Sequence, residues 1–91
     1  MKRALVAIGA LLWSLAAAAV DVNTANRAQL EQLRGIGPPL ADKILIEREK
    51  GAFKDWADLI ARVRGIRDAK ARQLSQSGLT VGGVPYDAPP R

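Results

Sequence analysis

Two five-residue segments, Leu33-Arg34-Gly35-Ile36-Gly37 and Val63-Arg64-Gly65-Ile66-Arg67, repeat one pattern: apolar, Arg, Gly, Ile, any residue. Each lies between stretches with helical spacing of apolar residues, and this arrangement restricts the possible folds sharply. A tight connection between packed helices needs a backbone conformation that glycine reaches without steric penalty. The isoleucine of each segment can fold inward and anchor the turn on a core. The backbone N–H groups of the turn, and of the first turn of the helix after it, have no intrahelical partner. The positive end of the helix dipole reinforces them. A phosphate oxygen is a natural acceptor at such a place, and backbone donors read a phosphate, not a base. Two helix pairs with matched turns predict a pseudo-symmetric four-helix unit.

The rest of the chain reads consistently with that unit. Val20 to Thr24 is a short extended lead-in. Asn26 followed by Gln29 fits a capping box, which predicts a first helix from Arg27 to about Leu33 with Ala28, Leu30 and Leu33 toward the core. Pro38 suits the first position of a second helix, where a missing N–H costs nothing, and Pro39 is tolerable in that first turn. This helix should run to about Lys50, with Leu40, Ala41, Ile44 and Leu45 on one side and Asp42, Lys43, Glu47 and Glu49 pointing away. Gly51 is a stop signal. Asp55 is placed to cap a third helix from Trp56 to about Val63, and Asp68 a fourth to about Ser77, ended by Gly78. Thr80 to Arg91 holds three prolines and two adjacent glycines, so residues 82–91 are expected to be a loosely held tail. The expected fold class is all-α: a compact tandem domain over residues 20–81, built of four to five short helices. Its roughly 58 folded residues lie near the lower size limit for a domain without disulfides, so its core must be dense.

The segment before this domain has a different character. Lys2 and Arg3 precede an apolar run from Ala4 to Leu15, and Ala16 to Ala19 supply small side chains just ahead of Asp21. That order predicts a secretory signal peptide over residues 1–19. A retained membrane anchor is the competing reading, since the run approaches the roughly 17 residues that span a bilayer. Ser14 and the alanine-rich end suit a peptidase better than a membrane. The expected location is the periplasm, with no stable membrane insertion after cleavage. The chain has no cysteine and no histidine, which excludes lipid attachment at the cleavage site and leaves only carboxylates for a metal site, a set favouring hard cations. No catalytic group and no cofactor are expected. The 14 basic residues outnumber 9 acidic ones; without Lys2 and Arg3, twelve face nine. An excess of three is modest, so its placement carries more weight than its size.

The series Asp21-Val22-Asn23-Thr24-Ala25-Asn26, then Leu30 and Leu33-Arg34-Gly35-Ile36-Gly37-Pro38, resembles the start of the ComEA family of competence DNA receptors. Gly51-Ala52-Phe53-Lys54, Asp58-Leu59 and Val63-Arg64-Gly65-Ile66 are similar to that family in order and spacing, and the likeness spans about residues 21 to 81. The resemblance implies a tandem helix-hairpin-helix, or (HhH)2, domain that binds double-stranded DNA during natural transformation. It further implies that a short form with a signal peptide sits free in the periplasm. There it would hold incoming DNA against backsliding, next to the inner-membrane channel proteins of DNA uptake. Two positions depart from the pattern. Where the second turn usually has another glycine this chain has Arg67, so the second hairpin is either distorted or has an ordinary backbone and an added cationic side chain. Leu40 stands where some members carry lysine, and Lys43 one turn later is the candidate replacement.

The candidate DNA-contacting residues are therefore Arg34, Gly35, Ile36, Gly37 and Lys43 around the first turn, and Arg64, Gly65, Ile66, Arg67 and Lys70 around the second. The first hairpin is expected to supply mainly backbone contacts and the second mainly basic side chains. Trp56 and Phe53 have the form of base-stacking platforms, but their helical spacing with Leu59 and Ile60 predicts core packing. Glu47, Glu49, Asp55 and Asp58 alternate with Arg48, Lys50 and Lys54, the pattern of solvated ion pairs. The alternative to DNA binding is a helical protein-interaction module of the cell envelope.

Overall fold

The computed structural model describes residues 19–87, and the signal-peptide expectation lies outside them apart from Ala19. Among the described residues are two short strands, β1 (Val20–Asp21) and β2 (Leu79–Thr80), and four helices. These are α1 (Arg27–Glu31), α2 (Pro38–Glu49), α3 (Trp56–Arg62) and α4 (Asp68–Gln76). The fold is all-α in substance: a tandem helix-hairpin-helix arrangement in which α1–α2 and α3–α4 form the two hairpins.

Local chemistry sets the helix limits. Asn26 accepts from the Gln29 N–H at 2.8 Å while the Gln29 side chain accepts from the Asn26 N–H at 2.8 Å. A capped N-terminus of this kind contributes about 1 kcal/mol. Helix α1 stops at Glu31, two residues earlier than its pattern predicts, because Leu33 already belongs to the turn, its N–H bonded to the Leu30 carbonyl. Ala28 is exposed, not core-facing; in so short a helix Leu30 and the turn residue Leu33 suffice. Asp55 caps α3 by accepting from the Asp58 N–H at 2.8 Å. The cap expected of Asp68 is not made. Arg67 is the N-cap residue of α4, with no side-chain cap bond, and Asp68 is the first helical residue. There its carboxylate pairs with Arg72 and accepts from the Tyr86 hydroxyl.

The core runs between the hairpins. Leu30, Ile44, Leu59, Ile66 and Leu74 are fully buried, as are Ala41 and Ala71 on the two long helices. Phe53 and Trp56 are buried among them as packing residues. Arg62 fastens the end of α2: its Nη2 donates to the carbonyls of Glu47 and Gly51, its Nη1 to that of Ala52, and its guanidinium lies 4.4 Å from the centre of the Phe53 ring. Glu47 and Asp58, two carboxylates with metal-ligand chemistry, are both paired with this arginine.

The lead-in and the chain after α4 are built into the domain. Strands β1 and β2 pair in parallel, Val20 beside Leu79 and Asp21 beside Thr80. Asn23 clamps the connector between α2 and α3, accepting from the Phe53 N–H at 2.7 Å and donating to its carbonyl at 3.0 Å. Arg48 holds the lead-in from the other side through the carbonyls of Val22 and Ala25. The expectation of a loose tail from residue 82 does not hold for residues 82–87. Val81 and Val84 bond to each other across a Gly82-Gly83 turn, and the Trp56 indole N–H donates to the Val84 carbonyl at 2.8 Å. The Tyr86 ring packs 5.2 Å from that of Trp56. Indole and phenol need both an apolar bed and a hydrogen-bond partner; here each supplies part of the other's.

Candidate functional site

The two repeat segments form turns of the same shape. Gly35 has φ +100° and Gly65 has φ +106°, so both first glycines occupy the region that disfavours side chains. Ile36 and Ile66 are 3% and 1% exposed and anchor their turns in the core. Their N–H groups bond to the carbonyls of Leu33 and Val63. Both isoleucines, named among the candidate DNA-contacting residues, are therefore anchors of their turns, with side chains buried and N–H groups already bonded.

The Arg67 departure is resolved by the backbone. Gly37, its counterpart, has φ −94° and ψ −179°, and Arg67 has φ −123° and ψ −169°. Both are extended, a conformation open to any residue. The second hairpin is not distorted, and the arginine adds an exposed guanidinium to an unchanged turn. Glycine at 37 is thus not required by the turn, whereas glycine at 35 and 65 is.

The turns differ in their donors. Neither Gly35, Gly37, Gly65 nor Arg67 bonds its N–H to any described residue. In the first hairpin the next two residues are Pro38 and Pro39, which have no N–H to offer. In the second hairpin Ala69, the counterpart of Pro39, lies in the first helical turn and keeps its N–H unpaired along the helix, while Leu40 and Lys70 are alike in this respect. The first hairpin, expected to supply mainly backbone contacts, therefore has fewer free N–H donors to offer than the second. The second has more backbone donors and also more cations, with Arg64, Arg67 and Lys70. A concavity of about 370 Å³ lies against it, lined by Arg64, Gly65, Ile66 and Arg67 among others.

Charge pairing separates two sets of basic residues, apart from Lys54, which lies in the connector between α2 and α3 and has no carboxylate within ion-pair distance among the described residues. Arg27, Lys50, Arg62 and Arg72 each pair with a carboxylate, and Arg48 is committed to two carbonyls. Among the described residues Arg34, Lys43, Arg64, Arg67 and Lys70, all five basic candidates, have no carboxylate within ion-pair distance.

Some of these cations cross between hairpins. The Lys43 ammonium on α2 makes a long contact of 3.4 Å with the Arg64 carbonyl in the second turn. Conversely, the tips of Lys70 and Gln73 on α4 lie against Gly35, where a Cβ would stand 3.3 Å from the ammonium and 3.1 Å from the amide nitrogen. Gln73 was not among the candidates from sequence. Its signal was present: superimposing the repeats, 37 on 67, sets Lys43 over Gln73 and Leu40 over Lys70.

The helix-hairpin-helix motif family matches the chain over residues 16–77. No match was found among curated proteins or among solved structures.

Proposed function

The chain belongs to the helix-hairpin-helix motif family, and on that premise we propose that it binds double-stranded DNA by its phosphates, without regard to base sequence. The motif supports nucleic-acid binding in general. The observation that carries the finer reading is the set of five cations without a carboxylate partner around two turns in which the N–H groups of Gly35, Gly37, Gly65 and Arg67 are unbonded among the described residues. Phosphates satisfy both kinds of group at once, and backbone donors carry no base preference. Binding is the whole of the proposed activity; no catalytic step or cofactor is part of it.

The test is a titration of purified protein against a duplex of arbitrary sequence between 50 and 200 mM salt. Four to six phosphate contacts give a log–log slope of roughly −4 to −5 through counterion release. Duplexes of high and low A·T content should bind within about twofold of each other. No retardation of duplex at low salt, or binding indifferent to salt, overturns the proposal.

The role we propose for this binding is DNA capture in the periplasm, as receptor or ratchet in natural transformation. The resemblance of residues 21 to 81 to the ComEA family supports it, as does the signal-like order of residues 1–19. Partners in that role are inner-membrane DNA-uptake channel proteins. Retention of labelled DNA in the periplasm of a deletion strain tests it; unchanged retention removes this role and leaves a DNA binder. A second reading, a protein-interaction module, is favoured by one feature. A shallow groove of about 380 Å³ is lined by Trp56, Ala57, Ile60, Val84, Pro85 and Tyr86. Capture of one envelope protein that persists at high salt and is lost in Ile60→Asp would favour it.

A further inference from the structure

We propose that each hairpin turn is completed as a phosphate site by a lysine from the other hairpin: Lys70 serves the first turn and Lys43 the second. This rests on the DNA-binding reading above and specifies how its sites are composed. By sequence alone each lysine belongs to the turn it follows. In the structure each reaches across. The Lys70 ammonium stands 3.3 Å from where a Cβ would extend from Gly35, and the Lys43 ammonium is 3.4 Å from the Arg64 carbonyl. Neither pairs with a carboxylate among the described residues.

The repeat explains the exchange. The third and sixth residues after each N-cap lie one helical turn apart on a single face. On α2 they are Leu40 and Lys43; on α4 they are Lys70 and Gln73. Lys70 and Gln73 both abut Gly35, so this face of α4 looks at the opposite turn. Lys43 shows that the matching face of α2 does the same. Each long helix thus carries one lysine on the crossing face, at the sixth position in one and the third in the other. The lysine absent at position 40 is supplied three residues later and still delivered to the second turn. That turn stays open, with nothing within 4 Å of a Cβ at Gly65, while the first is covered by two side-chain tips. The first turn, short of backbone donors because of Pro38 and Pro39, gains Lys70 as an added donor.

Double-mutant cycles on duplex affinity distinguish crossed sites from separate ones. The variants are Lys43→Gln, Lys70→Gln, Arg34→Gln and Arg64→Gln, all exposed or half-buried positions. Groups that share a phosphate depart from multiplicative losses, whereas distant groups multiply within about twofold. The expected result is a departure of at least about threefold for Lys70 with Arg34 and for Lys43 with Arg64. The pairs Lys70 with Arg64 and Lys43 with Arg34 should multiply. Coupling within each hairpin instead, or in no pair, overturns the crossed arrangement while leaving DNA binding in place. A wild-type protein that does not bind duplex at low salt overturns both. A structural check uses the free protein: Lys70→Gln should move the Gly35 amide resonance more than that of Gly65, and the reverse order counts against the proposal.

Discussion

At residue 35 the backbone turns with φ +100° while Gln73 and Lys70 press on the space a side chain would take. Two independent penalties therefore fall on any substitution. Gly35→Ala should destabilise the fold by about 1–3 kcal/mol from backbone strain, and more if Gln73 fails to move. Gly65→Ala bears the strain alone, since the space beside it is open. Gly37 is different: its φ is −94°, and a Cβ there meets only Pro39 Cδ at 3.8 Å. Gly37→Arg copies the second hairpin onto the first. It should change stability by less than about 1 kcal/mol while making the salt slope of DNA binding steeper by roughly one unit. Urea unfolding and a salt titration of the same samples check both. If Gly37→Arg unfolds the domain, or Gly35→Ala leaves its urea midpoint unchanged, the reading of the turns is wrong.

Among the elements, the two hairpins are joined by side chains committed to the frame, even where they border the site, as Arg62 borders the concavity beside the second turn. Arg62 shows this most clearly, since one guanidinium bonds to three carbonyls at the end of α2, pairs with Glu47 and Asp58 and stacks on Phe53. Arg62→Met keeps the packing of the stem and removes the bonds. It should cost about 2–3 kcal/mol, because charged hydrogen bonds are lost and carbonyls are left poorly satisfied. DNA affinity of the folded fraction should stay within about twofold, in contrast to Arg64→Gln two residues on. A large loss of affinity without loss of stability in Arg62→Met would move this arginine from the frame to the interface. The elements themselves were largely readable in the sequence because their signals are local: Asn26 with Gln29, Asp55, Pro38, and the spacing of Leu30, Ile44 and Leu59. What could not be read joins residues far apart. The Asn23–Phe53 clamp, the pairing of Val20 with Leu79 and the packing of Tyr86 on Trp56 have no periodicity to announce them. The same limit applied to the site. Arg34, Gly35, Arg64 and Gly65 are marked by the repeat, but which turn Lys43 and Lys70 serve depends on how the helices cross.

For the whole molecule, the parallel pairing of β1 and β2 closes the domain by joining its first and last described strands. Asp21 secures that closure. Burial acts to raise its pKa, but bonds accepted from the Gly83 N–H, the Thr80 hydroxyl and the Asn23 N–H outweigh it and hold the carboxyl below its ordinary value of 3.8. Glu47 is lowered chiefly by its bond from Lys50, with burial opposing and Arg62 adding to it. Asp58 is lowered chiefly by the Lys54 N–H, with burial again opposing and Arg62 adding to it. Folding lowers all three, so their stabilisation is complete above the ordinary values of 4.5 and 3.8 and disappears as pH falls through the lower folded values. The urea midpoint should therefore be flat from about pH 8 to 5 and drop below about 4.5. Asp21→Asn keeps an acceptor for Thr80 without the charge and should flatten part of that drop. DNA binding should follow a different course. With no histidine or cysteine in the chain, no side-chain type present has an ordinary pKa between 5 and 8. Affinity at fixed salt should thus be constant from pH 5.5 to 8 to within about twofold. Binding lost in a sigmoidal step centred between pH 6 and 7 would contradict a grip made of backbone N–H groups, arginines and lysines, because that step is the mark of a histidine, which the chain lacks.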